Sequence, residues 1–364
     1  MDYVMLKDVC SINMGQSPDS NSYNDEGIGV PFFQGNADFG KRYPVTRKWC
    51  SAPTKMAASE DILISVRAPI GAMNYAKEDC CIGRGLAALT PNKAKVSPEF
   101  IFWLLKGKNA ELNSKGTGST FKAIGRKVLE ETLVPNLPLE KQLEYSEILE
   151  RVYGVIQARK EELQKLDELI KARFVEMFGD ENNSKNWDVV NVEEVADVQV
   201  GVVIKPSQYY TDKSEGVRTF RSLNIGAGFI KDIDWVYFTK EGHQKNSKSI
   251  LKKDDLLIVR SGAPGTACVV TEDYAGCNAV DIIIAHPDCK KVNPYYLCTF
   301  INMPHGKKQI DEGIGGAAQQ HFNVGKYNKL QLMLPPKTLQ DEFVGFVKQV
   351  NKSKVVVSNT LYYN

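Results

Sequence analysis

Residues 139–179, LEKQLEYSEILERVYGVIQARKEELQKLDELIKARFVEMFG, decide how this 364-residue chain folds. The stretch is rich in strong helix formers, contains no Pro, and has Gly154 as its one internal Gly. Its apolar side chains recur at alternating steps of three and four residues, which is the pattern of a coiled-coil seam. Pro138 favours a helix start, and Gly179 favours a left-handed stop. The predicted seam positions are Leu149, Val152, Ile156, Leu163, Leu166, Ile170 and Met177.

A second seam lies near the C-terminal end of the sequence. A helix over residues 138–179 would be roughly 60 Å long, and a narrow apolar seam needs a partner helix to cover it. Both seams follow a Pro-containing step, LPLEKQ at Leu137 and LPPKTLQ at Leu334. The two segments are therefore predicted to form an antiparallel coiled-coil spacer. The second seam comprises Phe343, Phe346, Val350 and Val357.

The rest of the chain repeats itself after about 190 to 200 residues, a period that indicates an internal duplication. VMLKDVCSINMGQ at Val4 pairs with VVNVEEVADVQVGV at Val189, and EDILISVRAPIG at Glu60 pairs with DDLLIVRSGAPG at Asp254. KVSPEFIFWLL at Lys95 pairs with KVNPYYLCTFI at Lys291. ILISV and LLIVR are typical of strands, whereas SPEFIFWLL and NPYYLCTFI are typical of helices with Ser or Asn caps.

The predicted fold class is α+β, with two repeated domains of mixed helices and strands separated by long antiparallel coiled-coil helices. The predicted boundaries are residues 1–137 for the first globular domain, 138–179 for the central helix, 180–335 for the second globular domain and 336–364 for a shorter C-terminal helix. Because that last helix is the shorter one, the apolar seam around residues 143–152 is expected to lack a partner within the chain.

The composition is typical of a globular protein without a membrane-spanning segment. Apolar residues make up 43% and charged residues 25%, as in ordinary globular proteins, and the net charge is +2. The sequence contains no apolar run long enough to span a membrane and no export signal at its start, so we expect a cytoplasmic protein with reduced cysteines.

The sequence contains little that indicates catalysis. All four His residues fall in the second repeat without counterparts in the first, and neither metal-ligand spacing nor a phosphate-binding loop is evident. Asn293-Pro294-Tyr295-Tyr296 approaches the signature of adenine-specific DNA methyltransferases. The aligned Ser97-Pro98-Glu99-Phe100 instead favours a helix cap at both places. We therefore expect no catalytic residue and no metal site.

Contact with DNA is the chemistry that the sequence supports best. Backbone amides, hydroxyls and Lys or Arg side chains hold phosphates, and Gln and Asn can pair with adenine. Arg67 and Arg260 end paired strands and are either DNA contacts or structural residues. Ordinary surface loops are the alternative for the other candidates. Those in the first repeat are Lys106, Lys108, Lys115, Ser119, Thr120, Lys122, Arg126 and Lys127, and those in the second are Lys307, Lys308, Gln319, Gln320, His321 and Asn323.

Several of these segments carry a family resemblance. Residues 139–179, entered through VPNLP, resemble the central region of the specificity subunit of type I restriction–modification enzymes. EDILISVRAPIGAMNYA, CCIGRGLAAL and GTGSTFKAI resemble recurrent features of that family's target-recognition domains. The resemblance spans nearly the whole chain.

The resemblance implies a DNA-recognition subunit that performs no chemistry itself. Each globular domain would read one half of a split DNA sequence, and the helices would set the spacing. Two methyltransferase subunits would dock and bring S-adenosylmethionine, and two restriction subunits dependent on ATP and Mg²⁺ could join them. The open seam would be covered by methyltransferase helices or by a second copy of the chain. The alternatives are a stand-alone adenine-specific DNA methyltransferase and a coiled-coil adaptor that binds proteins.

Overall fold

A computed structural model describes residues 2–118, 122–314 and 322–362, with side chains of the last helix as far as residue 357. The chain divides into two units, residues 1–157 and 158–364, which are described separately. The long helix α5 (Leu139–Phe178) contributes its first part to the first unit and the remainder to the second.

The first unit contains eleven strands and four short helices before α5 among its described residues. The strands are β1 (Tyr3–Met5), β2 (Cys10–Met14), β3 (Tyr23–Asn24), β4 (Val30–Phe33), β5 (Trp49–Cys50), β6 (Met56–Ala57), β7 (Ile62–Ser65), β8 (Met73–Tyr75), β9 (Cys80–Ile82), β10 (Leu86–Pro91) and β11 (Leu133–Pro135). The helices are α1 (Leu6–Val9), α2 (Pro98–Gly107), α3 (Asn109–Ser114) and α4 (Arg126–Glu130).

The second unit repeats this arrangement with small differences in its helices. Its strands are β12 (Val189–Asn191), β13 (Ala196–Val200), β14 (Tyr210–Thr211), β15 (Val217–Phe220), β16 (Val236–Phe238), β17 (Leu256–Val259), β18 (Ala267–Val269), β19 (Asn278–Ala279), β20 (Ile282–Pro287) and β21 (Gln331–Met333). Its helices after α5 are α6 (Lys240–Lys245), α7 (Pro294–Asn302), α8 (Pro304–Ile314), α9 (Val324–Asn328) and α10 (Lys337–Tyr362).

Sheet topology is closely similar in the two units. An antiparallel sheet has the order β2-β10-β7-β8 in the first unit and β13-β20-β17-β18 in the second. A second sheet has the order β3-β5-β4-β9-β6 in the first unit and β14-β16-β15-β19 in the second, so β6 is an additional edge strand in the first unit. This sheet contains one parallel pair, β4 with β9 or β15 with β19, and a further antiparallel pair joins β1 to β11 or β12 to β21. The predicted duplication of an α+β domain is therefore confirmed.

The central strands β7 and β17 are buried along their whole length, which explains their continuous apolar sequences. The turns that precede them are also repeated. Glu60 and Asp254 adopt left-handed backbone conformations, with φ of 71° and 68°. The next residue in each turn, Asp61 or Asp255, accepts a hydrogen bond from a backbone amide three residues earlier.

Helices α2 and α7 cover one face of these sheets and contribute most of their apolar residues to the core. The predicted caps are present, because Ser97 accepts a hydrogen bond from the Phe100 amide and Asn293 accepts one from the Tyr295 amide. Each helix begins with Pro, whose missing amide hydrogen costs nothing at that position. Gly179, with φ of 90°, follows the end of α5 as the sequence predicts.

Candidate nucleic-acid interface

Arg67 directly follows the central strand of the first unit. Ser65 pairs with Leu86, and the Val66 amide donates to the Gly85 carbonyl at 2.9 Å. Arg67 therefore lies just beyond β7, and Arg84 lies in the turn that precedes β10. Both Arg side chains are exposed, and neither forms an ion pair within the described part of the chain. Exposed guanidinium groups of this kind suit phosphate oxygens or a guanine edge.

The equivalent position in the second unit has a different charge. Val259 pairs with Ile282, so the same register places Arg260 opposite Asp281. The two side chains form an ion pair, and the Arg260 side chain is only 18% exposed. The first unit therefore has two positive charges where the second has a neutral pair.

The Gly-rich loop of the first unit crosses the end of β7. Thr117 and Ala123 exchange backbone hydrogen bonds of 2.9 Å, and the Ala68 amide donates to the Lys122 carbonyl at 3.0 Å. The structure thus brings Lys122 and Arg67, which are far apart in sequence, to the same edge. The predicted contacts Ser119 and Thr120 lie outside the described residues.

Lys108 and Lys115 lie close to this loop but share one carboxylate. Each ammonium group is 2.7 Å from an oxygen of Glu111. Hydrogen bonds from the two lysines lower the pKa of Glu111 to about 2. The carboxylate therefore stays ionised at neutral pH and offsets part of the positive charge offered to a polyanion.

Lys106 lies away from the loop. Its Nζ atom is 3.7 Å from the centre of the Tyr153 ring and 4.9 Å from that of Trp103. A half-buried ammonium group over aromatic faces is a cation–π contact, which ties α2 to α5. This position favours helix packing over phosphate contact for Lys106. Arg126 and Lys127 are exposed on α4, where they pair with Glu130 and Glu131.

The candidates of the second unit are more dispersed. Lys307 is half-buried and donates to the Pro264 carbonyl, and burial lowers its pKa. Lys308 is exposed and pairs with Glu181. Asn323 caps α9 by accepting a hydrogen bond from the Lys326 amide, so its side-chain oxygen is already engaged. The predicted contacts Gln319, Gln320 and His321 lie outside the described residues.

A repeated hairpin with an exposed aromatic side chain is not evident from the sequence. Phe39 bridges to Pro44 in the first unit, and Ile225 bridges to Ile230 in the second. The residue before the second bridge position is Tyr43 or Phe229, with exposed fractions of 44% and 58%. Aligning the hairpins by their hydrogen bonds would be needed to find this match, because their sequences share little.

A pair of buried Gln side chains was also missed. The Gln142 side chain accepts from the Ser97 amide at 2.9 Å and donates to the Leu137 and Lys95 carbonyls. Gln142 and its equivalent in the second unit, Gln340, end the two Pro-containing steps quoted above. Their role could not be predicted, because it depends on backbone partners about 45 residues away in sequence.

In the second unit Gln340 makes the same three bonds. It accepts from the Asn293 amide at 2.8 Å and donates to the Pro335 and Lys291 carbonyls. Each Gln thus links the first turn of its long helix to the cap of the neighbouring domain helix. The two side chains position α5 on the first unit and α10 on the second.

Within the second unit, α5 and α10 run antiparallel. Phe174 contacts Phe343, Arg173 pairs with Glu342, and further along Asp167 pairs with Lys354. The seam residues that take part are partly or fully buried: Leu163, Leu166, Ile170, Met177, Phe343, Phe346, Val350 and Val357.

The most buried side chains at the end of α5 lie beside the predicted seam. Phe174 and Phe178 are fully buried, whereas Arg173 lies at the edge and pairs with Glu176 and Glu342. In the first unit Leu149 and Val152 are exposed, and Ile156 is half-buried. The expected gap in the helix pairing therefore coincides with exposed apolar residues.

Polar side chains that could suggest catalysis make structural hydrogen bonds. Asn293 caps α7 and donates to Asp341 at 2.7 Å. These two bonds engage the side chain that a methyltransferase-like motif would use. His286 lies 2.6 Å from Asp255 inside the second unit, beside Gln199. Within residues 2–118, 122–314 and 322–362 there is no cluster of three potential metal ligands. None of the helices in those same residues combines the length and the apolar content that crossing a membrane requires.

Comparisons with known proteins agree with this architecture. The putative type I restriction enzyme MjaX specificity subunit of Methanocaldococcus jannaschii is 44% identical over 160 residues, covering 44% of this chain and 38% of that protein. In that match the chain therefore spans less than two fifths of its relative. The type I restriction enzyme EcoBI specificity subunit of Escherichia coli is 19% identical over 377 residues, covering 95% of this chain and 78% of that protein.

A solved structure and a family description extend the likeness over the whole chain. The S subunit of a type I restriction–modification system from M. genitalium has a TM-score of 0.56 with 13% identity, over 100% of this chain and 92% of that one, and so shares the fold. The family described as the type I restriction modification DNA specificity domain matches residues 1–168 and 184–361. The chain belongs to this family of DNA specificity domains.

Proposed function

We propose that this chain is the DNA-sequence recognition subunit of a type I restriction–modification complex. Each globular unit reads one half of a bipartite target, and α5 with α10 sets the spacing between the halves. The observation that carries the proposal is the repeated architecture itself, in which both units place an Arg after the same strand at the same sheet register. A protein that reads two separate half-sites needs two such units.

The DNA-contacting surface of the first unit is proposed to centre on Arg67, Arg84 and Lys122. Backbone hydrogen bonds bring the segments that carry these residues to the end of β7, and the described residues offer no carboxylate partner to Arg67 or Arg84. Lys108 and Lys115 flank this edge and add charge that Glu111 offsets. Tyr43 and Phe229 are further candidates, because exposed rings on paired hairpins suit contact with bases or sugars.

The second unit is proposed to read its half-site with less positive charge. Arg260 is neutralised by Asp281, so base contacts there depend more on polar and aromatic side chains than on phosphate attraction. Two units with the same fold and different edge charges suit the reading of two different half-sequences.

The partners in this proposal are double-stranded DNA and two methyltransferase subunits, with two restriction subunits as further members. The chemistry belongs to those partners, which supply S-adenosylmethionine, ATP and Mg²⁺, and this chain contributes recognition without catalysis. The cytoplasm, where chromosomal and invading DNA meet such a complex, is the proposed location. Self-association through the exposed part of α5 is a second partner hypothesis.

Binding to random-sequence duplex DNA across a range of salt concentrations tests the proposal. We expect measurable binding whose logarithm falls linearly with the logarithm of salt concentration, because phosphate contacts release counterions. Replacing Arg67 and Arg84 by Ala should make that slope shallower by about two contacts. A protein-binding adaptor would show neither affinity nor salt dependence. S-adenosylmethionine binding by the isolated chain would instead support a methyltransferase.

A further inference from the structure

An apolar groove of about 570 Å³ lies on the first unit between α2 and the beginning of α5. Its lining includes Phe100, Trp103, Leu104, Tyr145, Ile148 and Leu149. Ile148 and Leu149 are exposed, with fractions of 52% and 43%. A patch of this kind on a soluble domain marks a surface for a partner.

The matching place in the second unit shows what such a groove accepts. Counting from the equivalent residues Gln142 and Gln340, Tyr145 of α5 corresponds to Phe343 of α10. Counting from the helix caps, Phe100 of α2 corresponds to Tyr296 of α7. The groove between Phe343 and Tyr296 is filled within the second unit.

Two rings from the last turns of α5 fill that second groove. Phe174 lies 5.7 Å from the Tyr296 ring and 5.4 Å from the Phe343 ring, and Phe178 lies 4.8 Å and 5.4 Å from the same two rings. Both Phe side chains are fully buried. The occupant is therefore a helix with two aromatic side chains one turn apart, running antiparallel to the helix that forms the groove wall.

Charge at the rim adds a further requirement. In the second unit Arg173, which directly precedes the first ring, pairs with Glu342 of α10. The residue equivalent to Glu342 is Glu144 of α5, which is half exposed on the first unit and pairs with Lys141 at 2.6 Å. A basic residue before the first aromatic of the occupant would share this carboxylate with Lys141.

We propose that the groove of the first unit binds a helix of a partner chain with the pattern Arg-Phe-x-x-x-Phe, antiparallel to the beginning of α5. Two buried Phe side chains contribute roughly 150–250 Å² of contact each, which is enough to anchor a helix. A second copy of this chain is a poorer occupant, because its own Phe174 and Phe178 are already buried in its second unit. The inference deepens the partner-binding part of the proposed function.

A fluorescent peptide with the sequence of residues 160–179 of this chain is the probe. Titration with the full chain, followed by fluorescence anisotropy, should give saturable binding. Replacing both Phe174 and Phe178 of the peptide by Ala should weaken binding by about tenfold or more, since buried aromatic anchors carry most of the energy of such an interface. Equal binding of the two peptides would overturn the proposal, as would no saturable binding.

Variants of the full chain locate the binding site. Ile148→Glu and, separately, Leu149→Glu should each abolish peptide binding, because both side chains line the groove and are exposed enough to be replaced without unfolding the unit. Glu147→Gln is the matched control on the same helix, where the side chain is 73% exposed, and it should bind as the parent does. Unchanged binding by both groove variants would place the peptide elsewhere and overturn the assignment.

Sedimentation of the chain without peptide tests whether a second copy of the chain occupies the groove. A dimer that Ile148→Glu converts to a monomer would assign the groove to a second copy and overturn the helix proposed here. None of these measurements involves DNA. Failure of peptide binding with intact, salt-dependent DNA binding would therefore reject this inference and leave the proposed recognition function standing. Peptide binding without DNA binding would reject the proposed recognition function and leave the helix-binding groove standing.

Discussion

Single charges at one sheet edge distinguish the two repeats. Arg67 and Arg84 lie near the end of the same strand pair in the first unit with no carboxylate partner among the described residues, whereas Arg260 pairs with Asp281 in the second. The sequence identified Arg67 and Arg260 as equivalent, because the strands around them align. It could not identify Arg84 or Asp281, because their positions near those residues follow from the pairing of strand segments about 20 residues apart.

Removing the carboxylate at Asp281 should strengthen DNA binding by the second unit. Asn fits the site, because Asp281 has a left-handed φ of 49° and Asn tolerates that conformation. In Asp281→Asn the Arg260 guanidinium loses its charged partner and is available to phosphate. We expect an increase of several-fold in affinity for random duplex DNA and a steeper salt dependence.

Asp288→Asn is the control for Asp281→Asn, because it changes net charge by the same amount at an exposed site where Asp288 lies 4.0 Å from Lys291. Equal effects of the two substitutions would mean that only net charge matters, and would contradict a role for Arg260 at this edge.

Thiol reactivity tests the burial of the cysteines. Seven of the eight are buried, and burial raises the pKa of Cys10, Cys80 and Cys298 to about 12. Only the thiolate reacts readily, so these groups should be inert at neutral pH. Cys289 is exposed. A colorimetric thiol reagent should therefore modify one cysteine in the native protein and eight in denaturant, and several rapidly reacting thiols would contradict this packing.

At the scale of elements, the presence of the long helices α5 and α10 was easier to predict than the residues through which they pack against each unit. Heptad periodicity identified α5 and α10, because a seam is a local pattern. The burial of Phe174 and Phe178 was missed because both lie beside the seam and pack against α7. The contact of Lys106 with Tyr153 could not be predicted for a related reason, since its position among other basic residues in sequence does not reveal where its side chain packs.

The Gln142 and Gln340 bonds should fix each long helix to its own unit. Replacing either by Leu leaves one buried amide and two carbonyls without a partner, at a cost of about 1–3 kcal/mol for each unsatisfied group. Gln142→Leu should increase amide hydrogen exchange over residues 139–150 by tenfold or more, whereas Gln340→Leu should do so over residues 337–350.

Gln164→Leu is the control within α5. Its side chain is exposed and bonds only to Glu168 of the same helix among the described residues, so the change in stability should stay within about 0.5 kcal/mol. If all three variants exchange at the rate of the parent, the buried bonds do not hold the helices in place.

For the whole molecule, the duplication could be predicted because the paired segments, the Pro-containing steps and the two seams recur in the same order. The readout residues could not, since they depend on which side chains the register and the loops bring to one edge, and several of the predicted DNA contacts lie outside the described residues. Sequence therefore predicts an apparatus with two reading units more readily than the bases that it reads.

The length of the helices should determine the unread gap in the DNA target. Inserting one heptad into both α5 and α10 at facing positions keeps the seam in phase and lengthens each helix by roughly 10 Å. At 3.4 Å per base pair, we expect the gap between the methylated half-sites to grow by about three pairs while both half-sequences stay the same. Genome-wide mapping of N6-methyladenine, in cells carrying this chain with its methyltransferase, measures both quantities. Inserting two residues into each helix is the informative comparison, because it rotates the apolar seam by about 200° onto the opposite face and should abolish methylation. An unchanged gap after the heptad insertion would show that the spacing is set elsewhere.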